Sequence, residues 1–376
     1  NLSHPDRHIR YAARVALEHR PVDSWRKKAL TENNPRAALT ALMGLARAGA
    51  PDDLPKLVAA LLKLEPAKLD ALGRLTWLRN FQLAFARQGS PSATLRESVL
   101  SRLEPLYNVN GDNEFNQELI QLLVYLQSPR AVELGVATMR HLATQPEPIP
   151  QWSRFLQRNA GYGGTVQAML DNMPPVRAIH FAFVLRNAEV GWTPAARRDY
   201  LSFFARASLH PGGASYPGFL SQSLGDALAK IPAAELPLYD DVLSVPLGRQ
   251  PYEATPPQGP GQKWTVAAAL EVLGDKVTDA DFETGRNLYH ATNCAKCHRF
   301  AGEGGAIGPD LSTAGRKFAL RDLLEAIIEP SKAISDQYGS HQIATADGQV
   351  LIGRIVKIGE QVHVYTADMD RPPVVL

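Results

Sequence analysis

Cys294-Ala295-Lys296-Cys297-His298 decides how the last third of this chain is expected to fold. Side chains three apart on a helical turn share a face. Two thiols so placed can reach the two vinyl groups on one edge of a porphyrin, and the next residue then lies under the iron, where an imidazole nitrogen can bind. C-x-x-C-H is the attachment pattern of haem c. The expectation is therefore one covalent haem, fastened by Cys294 and Cys297, with His298 as an axial iron ligand. The rival readings lack partners. Half a zinc site needs a second Cys pair, but the chain has only 2 Cys, and His290 and His341 could complete a Cys₂His₂ set only by contrived geometry. A thioredoxin-like dithiol needs a surrounding βαβ pattern, which is absent. A disulfide scaffold is excluded, because two cysteines this close in sequence act together.

Working outward, Thr278-Asp279-Ala280-Asp281 reads as a helix start with an acidic residue three positions in, close to a capping box. The helix that follows puts Gly285 and Tyr289 four apart on one face. Downstream, Gly302 to Gly308 reads as a loop; without the Lys-Ser/Thr pair and a preceding strand it is no phosphate cradle. Phe318, Leu320, Leu323, Leu324, Ile327 and Ile328 form an amphipathic stripe suited to cover a haem face. Helical segments are expected to about Ile334. From Ser340 the period falls to two: Gln342 to Thr345, the turn signal Asp347-Gly348, Val350 to Ile358 and Val362 to Thr366 predict a β-meander over 340–376.

Upstream, residues 1–245 read as helix after helix. Ile9, Ala12, Ala13, Ala16 and Leu17 fall on one stripe at helical spacing. Asn34-Pro35-Arg36-Ala37-Ala38-Leu39-Thr40-Ala41-Leu42 repeats that plan about thirty residues later, with Pro at the first helical position. Leu75 to Phe85, Leu119 to Leu126 and Ile179 to Leu185 continue it less regularly. Small Ala-rich helices cannot bury one apolar stripe alone, and stacking them in pairs solves the problem. The pattern resembles HEAT-type repeats, an α-solenoid; an irregular helical bundle is the alternative. Residues 246–264, rich in Pro and Gly, mark a linker, leaving 265–376 as a second domain.

Length and charge agree with this division. At 376 residues the chain is long enough for two or three domains. With 40 Lys and Arg against 38 Asp and Glu, intermixed, it lacks the basic patch of a nucleic-acid binder. No apolar run reaches the ~18 residues of a transmembrane segment. The opening Asn1-Leu2-Ser3-His4-Pro5 carries neither Met nor a secretory signal, so it reads as the interior of a longer polypeptide or a processed one. His4 and His8, expected to share a helix face, lack a third ligand and read as solvated surface. Asp240-Asp241 reads as an ordinary helix-start pair, and Trp192 and Trp264 as core or packing anchors. No nucleophile-base set can be argued from residue order.

At this point a family resemblance enters. The residues that carry it are Asp281-Phe282-Glu283-x-Gly285, Cys294 to Phe300, Gly304-Gly305-x-x-Gly308-Pro309-Asp310-Leu311, Asp322-Leu323-Leu324-Glu325-x-Ile327-Ile328-Glu329-Pro330-Ser331 and Ser335-Asp336-Gln337-Tyr338. This part resembles the Pirellula/Verrucomicrobium-type haem-binding domain, a class I cytochrome c variant of planctomycetes and verrucomicrobia. Gly191-Trp192-Thr193 and Gly212-Gly213-Ala214-Ser215 resemble the helical segment that precedes it in large multidomain planctomycete cytochromes. The resemblance implies that the Pro309 carbonyl accepts a hydrogen bond from the ligand imidazole, that Leu311 lies beside the haem, and that Gly285 and Tyr289 let a last helix cross the first closely. It also implies a Met in a Met-Pro segment as second axial ligand. Met369 is the only Met after the motif and reads as an exposed turn residue, so no sixth ligand is assigned; the natural protein is expected to continue past residue 376.

Fold class and motif together predict an extracytoplasmic mono-haem electron carrier on a helical docking platform, serving a redox partner protein or an attached upstream dehydrogenase. Two other functions stay open: a haem enzyme or gas- or peroxide-binding module with an open sixth position, and an interaction scaffold whose haem is structural. A di-haem peroxidase is excluded by the single attachment motif.

Overall fold

The computed structural model describes residues 1–148, 170, 173–210, 212, 215–248, 252–274, 280–305, 308–336, 339–366 and 373–376. The chain divides into two compact units, one of residues 1–150, 173–210 and 217–248, the other of residues 151–172, 211–216 and 249–376.

The first unit is helical. Its main elements are α1 (Arg7–Glu18), α2 (Arg26–Leu30), α3 (Pro35–Ala48), α4 (Leu54–Leu62), α5 (Ala71–Gln88), α6 (Ala93–Leu103), α7 (Asn113–Tyr125), α8 (Ala131–Ala143), α9 (Val176–Leu185), α10 (Pro194–Ala207), α11 (Tyr216–Leu228) and α12 (Asp240–Leu243). Local chemistry sets where they begin. Asn34 caps α3 by accepting from the Ala37 amide at 3.0 Å, with Pro35 at the first helical position, where its missing N–H costs nothing. Asp70 caps α5 by accepting from the Gly73 amide at 2.6 Å.

From α1 to α7 the helices stack on the next but one: α1 on α3, α3 on α5, α5 on α7, and α2, α4 and α6 in a second row, with α3 and α5 also packing across onto α4; further on, α8 packs on its neighbour α9. Between the rows lies the core, where Leu42, Leu45, Leu57, Leu61, Trp77, Leu78, Phe81 and Leu103 are fully buried. The Trp77 indole donates to the Leu61 carbonyl at 2.8 Å, so its polar edge is satisfied inside the core. Asn80 and Gln88 are buried with it and donate to carbonyls of α3, Leu39 at 3.3 Å and Leu45 at 2.8 Å.

α1 departs from its expected stripe. Ile9, Ala12 and Ala16 are exposed, and the buried residue is Arg14, which pairs with Glu18. Glu18 also accepts from Arg47 of α3 at 3.0 Å, so an ion-pair seam and the aliphatic stem of Arg14 replace the apolar stripe. His4 and His8 do not share a helix face either: Asp6 caps α1 by accepting from the His8 amide at 2.7 Å, leaving His4 outside the helix. Trp192 stacks edge-on against Tyr200 and donates to the Ala188 carbonyl at 3.0 Å, a packing anchor. Trp264 is 41% exposed and so lies outside the buried core. Asp240 opens α12, and Asp241 beside it pairs with Arg198.

The second unit carries α13 (Val266–Leu273), α14 (Phe282–Ala291), α15 (Cys294–Cys297), α16 (Ala314–Lys317) and α17 (Leu320–Ile328), with α13 packed on α17. A two-residue ladder, β1 (Arg299–Phe300) against β2 (Glu303–Gly304), interrupts the stretch expected to be helical and loop. The amphipathic helix ends at Ile328 rather than near Ile334, and Phe318 precedes its first residue. The meander is present as an antiparallel sheet of β3 (His341–Ala344), β4 (Val350–Ile358), β5 (Gln361–Thr366) and β6 (Val374–Val375) in sequential order. Ile343 faces Leu351 and Ile355 faces Val364 across it. The chain is thus mainly helical with small sheets, and no helix among the described residues is long and apolar enough to cross a membrane.

Candidate functional site

α14 sets up the site. Asp281 is its cap, accepting from the Thr284 amide at 2.7 Å; the Thr284 side-chain bond first, and this amide second, hold the Asp281 carboxyl below its ordinary pKa. The cap is thus one residue before the helix, not at Thr278, which lies outside the described residues. Asn293 then takes a left-handed backbone with φ of 64°, a conformation Asn tolerates better than most residues, and turns the chain into α15. Cys294 and Cys297 occupy this one turn, the first exposed and the second half-buried. The turn closes with the His298 amide donating to the Cys294 carbonyl at 2.9 Å.

The downstream loop is zipped onto this turn by main-chain hydrogen bonds. Gly305 donates to the Ala295 carbonyl at 2.7 Å, Gly308 to Cys297 at 2.8 Å, and Leu311 to Arg299 at 2.8 Å. Two glycines make the approach possible. At Gly304 φ is +97°, and a Cβ there would lie 2.1 Å from the His298 carbonyl oxygen. A Cβ on Gly308 would lie 2.8 Å from both Nδ1 and Cε1 of the His298 ring. The zipper delivers the Pro309 carbonyl to the imidazole: His298 Nδ1 donates to it at 2.9 Å. The main chain thus brings Cys294, Cys297, His298, Pro309 and Leu311 into one neighbourhood, with Leu311 half-buried and Pro309 exposed.

α14 grips this assembly from behind. The Tyr289 hydroxyl donates to the His298 carbonyl. Burial, with the charges of Cys294, Asp310 and Glu303 adding to it, pushes the Tyr289 phenol up to about 12. Arg286 forks onto Glu303, Nε to one oxygen at 3.0 Å and Nη2 to the other at 2.7 Å, which raises the guanidinium pKa further. His290 Nε2 donates to the same carboxylate at 3.4 Å and stacks on Tyr252, whose ring also receives Arg286 at 4.8 Å. Thr255 and the Asn287 amide exchange two hydrogen bonds, of 2.8 and 2.9 Å. Tyr252 and Thr255, read as linker, therefore lie against α14. None of this cluster was visible in sequence, because Arg286, Glu303 and Tyr252 stand at separations that match no helical or strand period.

The other candidates fall away from the site or outside it. His341 begins β3 opposite Gly353 and is exposed. Met369 lies outside the described residues. His290 is committed to Glu303, and among the described residues no group of three or more His, Cys, Asp and Glu could hold a metal ion. Gly285 has nothing within 4 Å of where its Cβ would be, so the described residues place no helix across it.

Two thiols on one turn, followed by an imidazole with one nitrogen already given to a main-chain carbonyl, fit a porphyrin iron and define a c-type cytochrome domain. Residues 282–352 match the cytochrome c family model, which spans α14 through the first residues of β4 and implies covalently bound haem c and an electron-transfer module. No curated protein and no solved structure matches the chain.

Proposed function

We propose that the chain is a mono-haem c electron carrier that works outside the cytoplasm, its haem domain borne on a HEAT-like helical platform within a larger multidomain redox protein. Cys294 and Cys297 form the two thioether bonds, and His298 binds the iron through Nε2. The single observation that carries this reading is the 2.9 Å bond from His298 Nδ1 to the Pro309 carbonyl. It fixes the tautomer with the proton on Nδ1 and the lone pair on Nε2, and it raises the basicity of the ligating nitrogen.

When bound, haem supplies a one-electron ferric–ferrous couple. The chain's own residues do the rest. Gly305, Gly308 and Leu311, hydrogen-bonded through their amides onto the thiol turn, hold Pro309 against the imidazole and so resist its rotation. α17 offers Leu323, Leu324 and Ile328 as half-buried apolar cover, with Leu311 nearer the ligand loop. Exposure of Cys294 leaves the thioether edge open to a redox partner. The next-but-one stacking in the first unit supports the repeat reading, since such arrays expose long faces for docking. The extracytoplasmic placing follows from bacterial haem attachment to C-x-x-C-H outside the cytoplasm, and the dehydrogenase as electron donor from analogy with the resembled family.

The test is intact mass and pyridine haemochrome spectroscopy on the chain purified from its native host. One haem added to the polypeptide, with neither thiol available to alkylation, is expected. Colourless protein with both thiols alkylated overturns the reading.

A further inference from the structure

We propose that the Tyr289 hydroxyl is a positioning element for the iron ligand, setting the orientation of the His298 imidazole and with it the reduction potential. This rests on the proposed function. The family resemblance gives position 289 a different task, an aromatic ring that lets helices cross, and needs no hydroxyl for it. The geometry points elsewhere. The hydroxyl donates to the carbonyl of His298 itself. Gly304 packs against the same oxygen, so closely that no side chain could take its place.

His298 is consequently held at three points. Tyr289 fixes its carbonyl, Pro309 its Nδ1, and Gly308 lies against the ring edge. The last two flank main-chain bonds from Gly308 and Leu311 onto the thiol turn. Tyr289 belongs to α14 and ties the ligand residue to a regular helix. Three residues earlier on that helix, Arg286 holds Glu303, the residue next to Gly304, so α14 grips both the ligand and the loop that aims it. Lysine or arginine at 289 could also donate, but their flexible stems would not be fixed by the ring contacts Tyr289 makes with Phe300 at 6.2 Å and His290 at 5.5 Å.

Losing the bond frees the His298 carbonyl and lets the residue swing relative to Pro309. A weaker bond at Nδ1 makes Nε2 a poorer donor to iron, favouring the ferrous state and raising the potential. The test compares Tyr289→Phe, which keeps the ring, with Phe300→Leu, which keeps the hydroxyl and loses a ring neighbour. In the haem-loaded full chain, Tyr289→Phe is expected to shift the redox equilibrium about three- to tenfold toward the reduced form, tenfold being ~59 mV for one electron. Phe300→Leu is expected to lower thermal stability and leave the potential where it was. Normal haem attachment in Phe300→Leu but none in Tyr289→Phe also supports the proposal.

An unchanged potential in Tyr289→Phe, or the same shift in both variants, overturns it. Should neither variant retain haem, solvent exchange of the His298 Nδ1 proton in ¹⁵N-histidine-labelled haem-free chain decides: faster exchange in Tyr289→Phe alone supports the proposal, and equal rates overturn it. Absence of haem from the unaltered chain would instead defeat the proposed function, leaving the two failures distinguishable.

Discussion

The two units solve the problem of staying folded in opposite ways. The helical unit buries Trp77, Phe81, Phe181, Phe204 and a layer of leucines completely. The unit with the thiol turn buries, among its described residues, only Val266, Ala269 and Val364 as apolar side chains, while Phe318 and Ile327 stand 54% and 75% exposed. Its order comes instead from main-chain hydrogen bonds around one histidine and from polar ties on α14. Hydrophobic burial at ~25 cal/mol per Å² is the main source of folding stability, and backbone hydrogen bonds add little net. The first unit therefore stands on its own core; under the proposed function, a porphyrin fastened at Cys294 and Cys297 would add apolar contact to the second.

The sharpest way to break this contrast is to remove the attachment. Cys294→Ser with Cys297→Ser is expected to abolish covalent haem and to erase one calorimetric unfolding transition, while the helical transition stays. Loss of both transitions, or of neither, would contradict the division of labour. The converse experiment is Phe81→Ala, which leaves a cavity in the helical core and is expected to cost about 3–5 kcal/mol in denaturant unfolding of that unit. The haem spectrum should be untouched, because Phe81 is fully buried in the helical unit, beside Trp77 at 5.2 Å and Phe85 at 6.3 Å.

Gly308→Ala sharpens the comparison inside the second unit. Its methyl would press on the His298 ring, so the imidazole must turn from Pro309. A changed ferric spectrum and a raised potential are expected, with far-ultraviolet dichroism nearly constant. Smaller still is a pH effect at the start of α14. The Asp281 carboxyl is held below its ordinary pKa by Thr284, first through the side-chain bond and then through the backbone amide. Its contribution is therefore complete above the unfolded value of ~3.9 and fades as pH falls through the lower folded one. Wild type and Asp281→Asn should differ in stability at neutral pH and converge in acid; a constant difference would remove the carboxylate from the account.

Much of this was readable from residue order, for local reasons. The thiol spacing and the adjacent imidazole specify a chemistry by themselves, because all three lie on one turn whatever surrounds it. Asn34-Pro35 marks a helix start and Asp347-Gly348 a turn through preferences of the backbone alone. The expected stripe of α1 failed because burial there is decided by Glu18 and Arg47, which meet across 29 residues. Asp281, expected inside the first turn, proved to be the cap itself, because neighbouring acceptors look alike in sequence and only the folded helix selects one.

Sequence alone, then, determined the mainly helical class, the meander that follows and the placing of Cys294, Cys297 and His298 at one turn, since each depends on neighbours within a turn or two. Tertiary structure decided what grips His298 and the loop beside it: the Gly308 approach, the Pro309 carbonyl at Nδ1, the Tyr289 hydroxyl and the Arg286–Glu303 fork. These contacts join residues nine to seventeen positions apart through loops of irregular backbone. No periodicity encodes such meetings; they exist only once the chain has closed on itself.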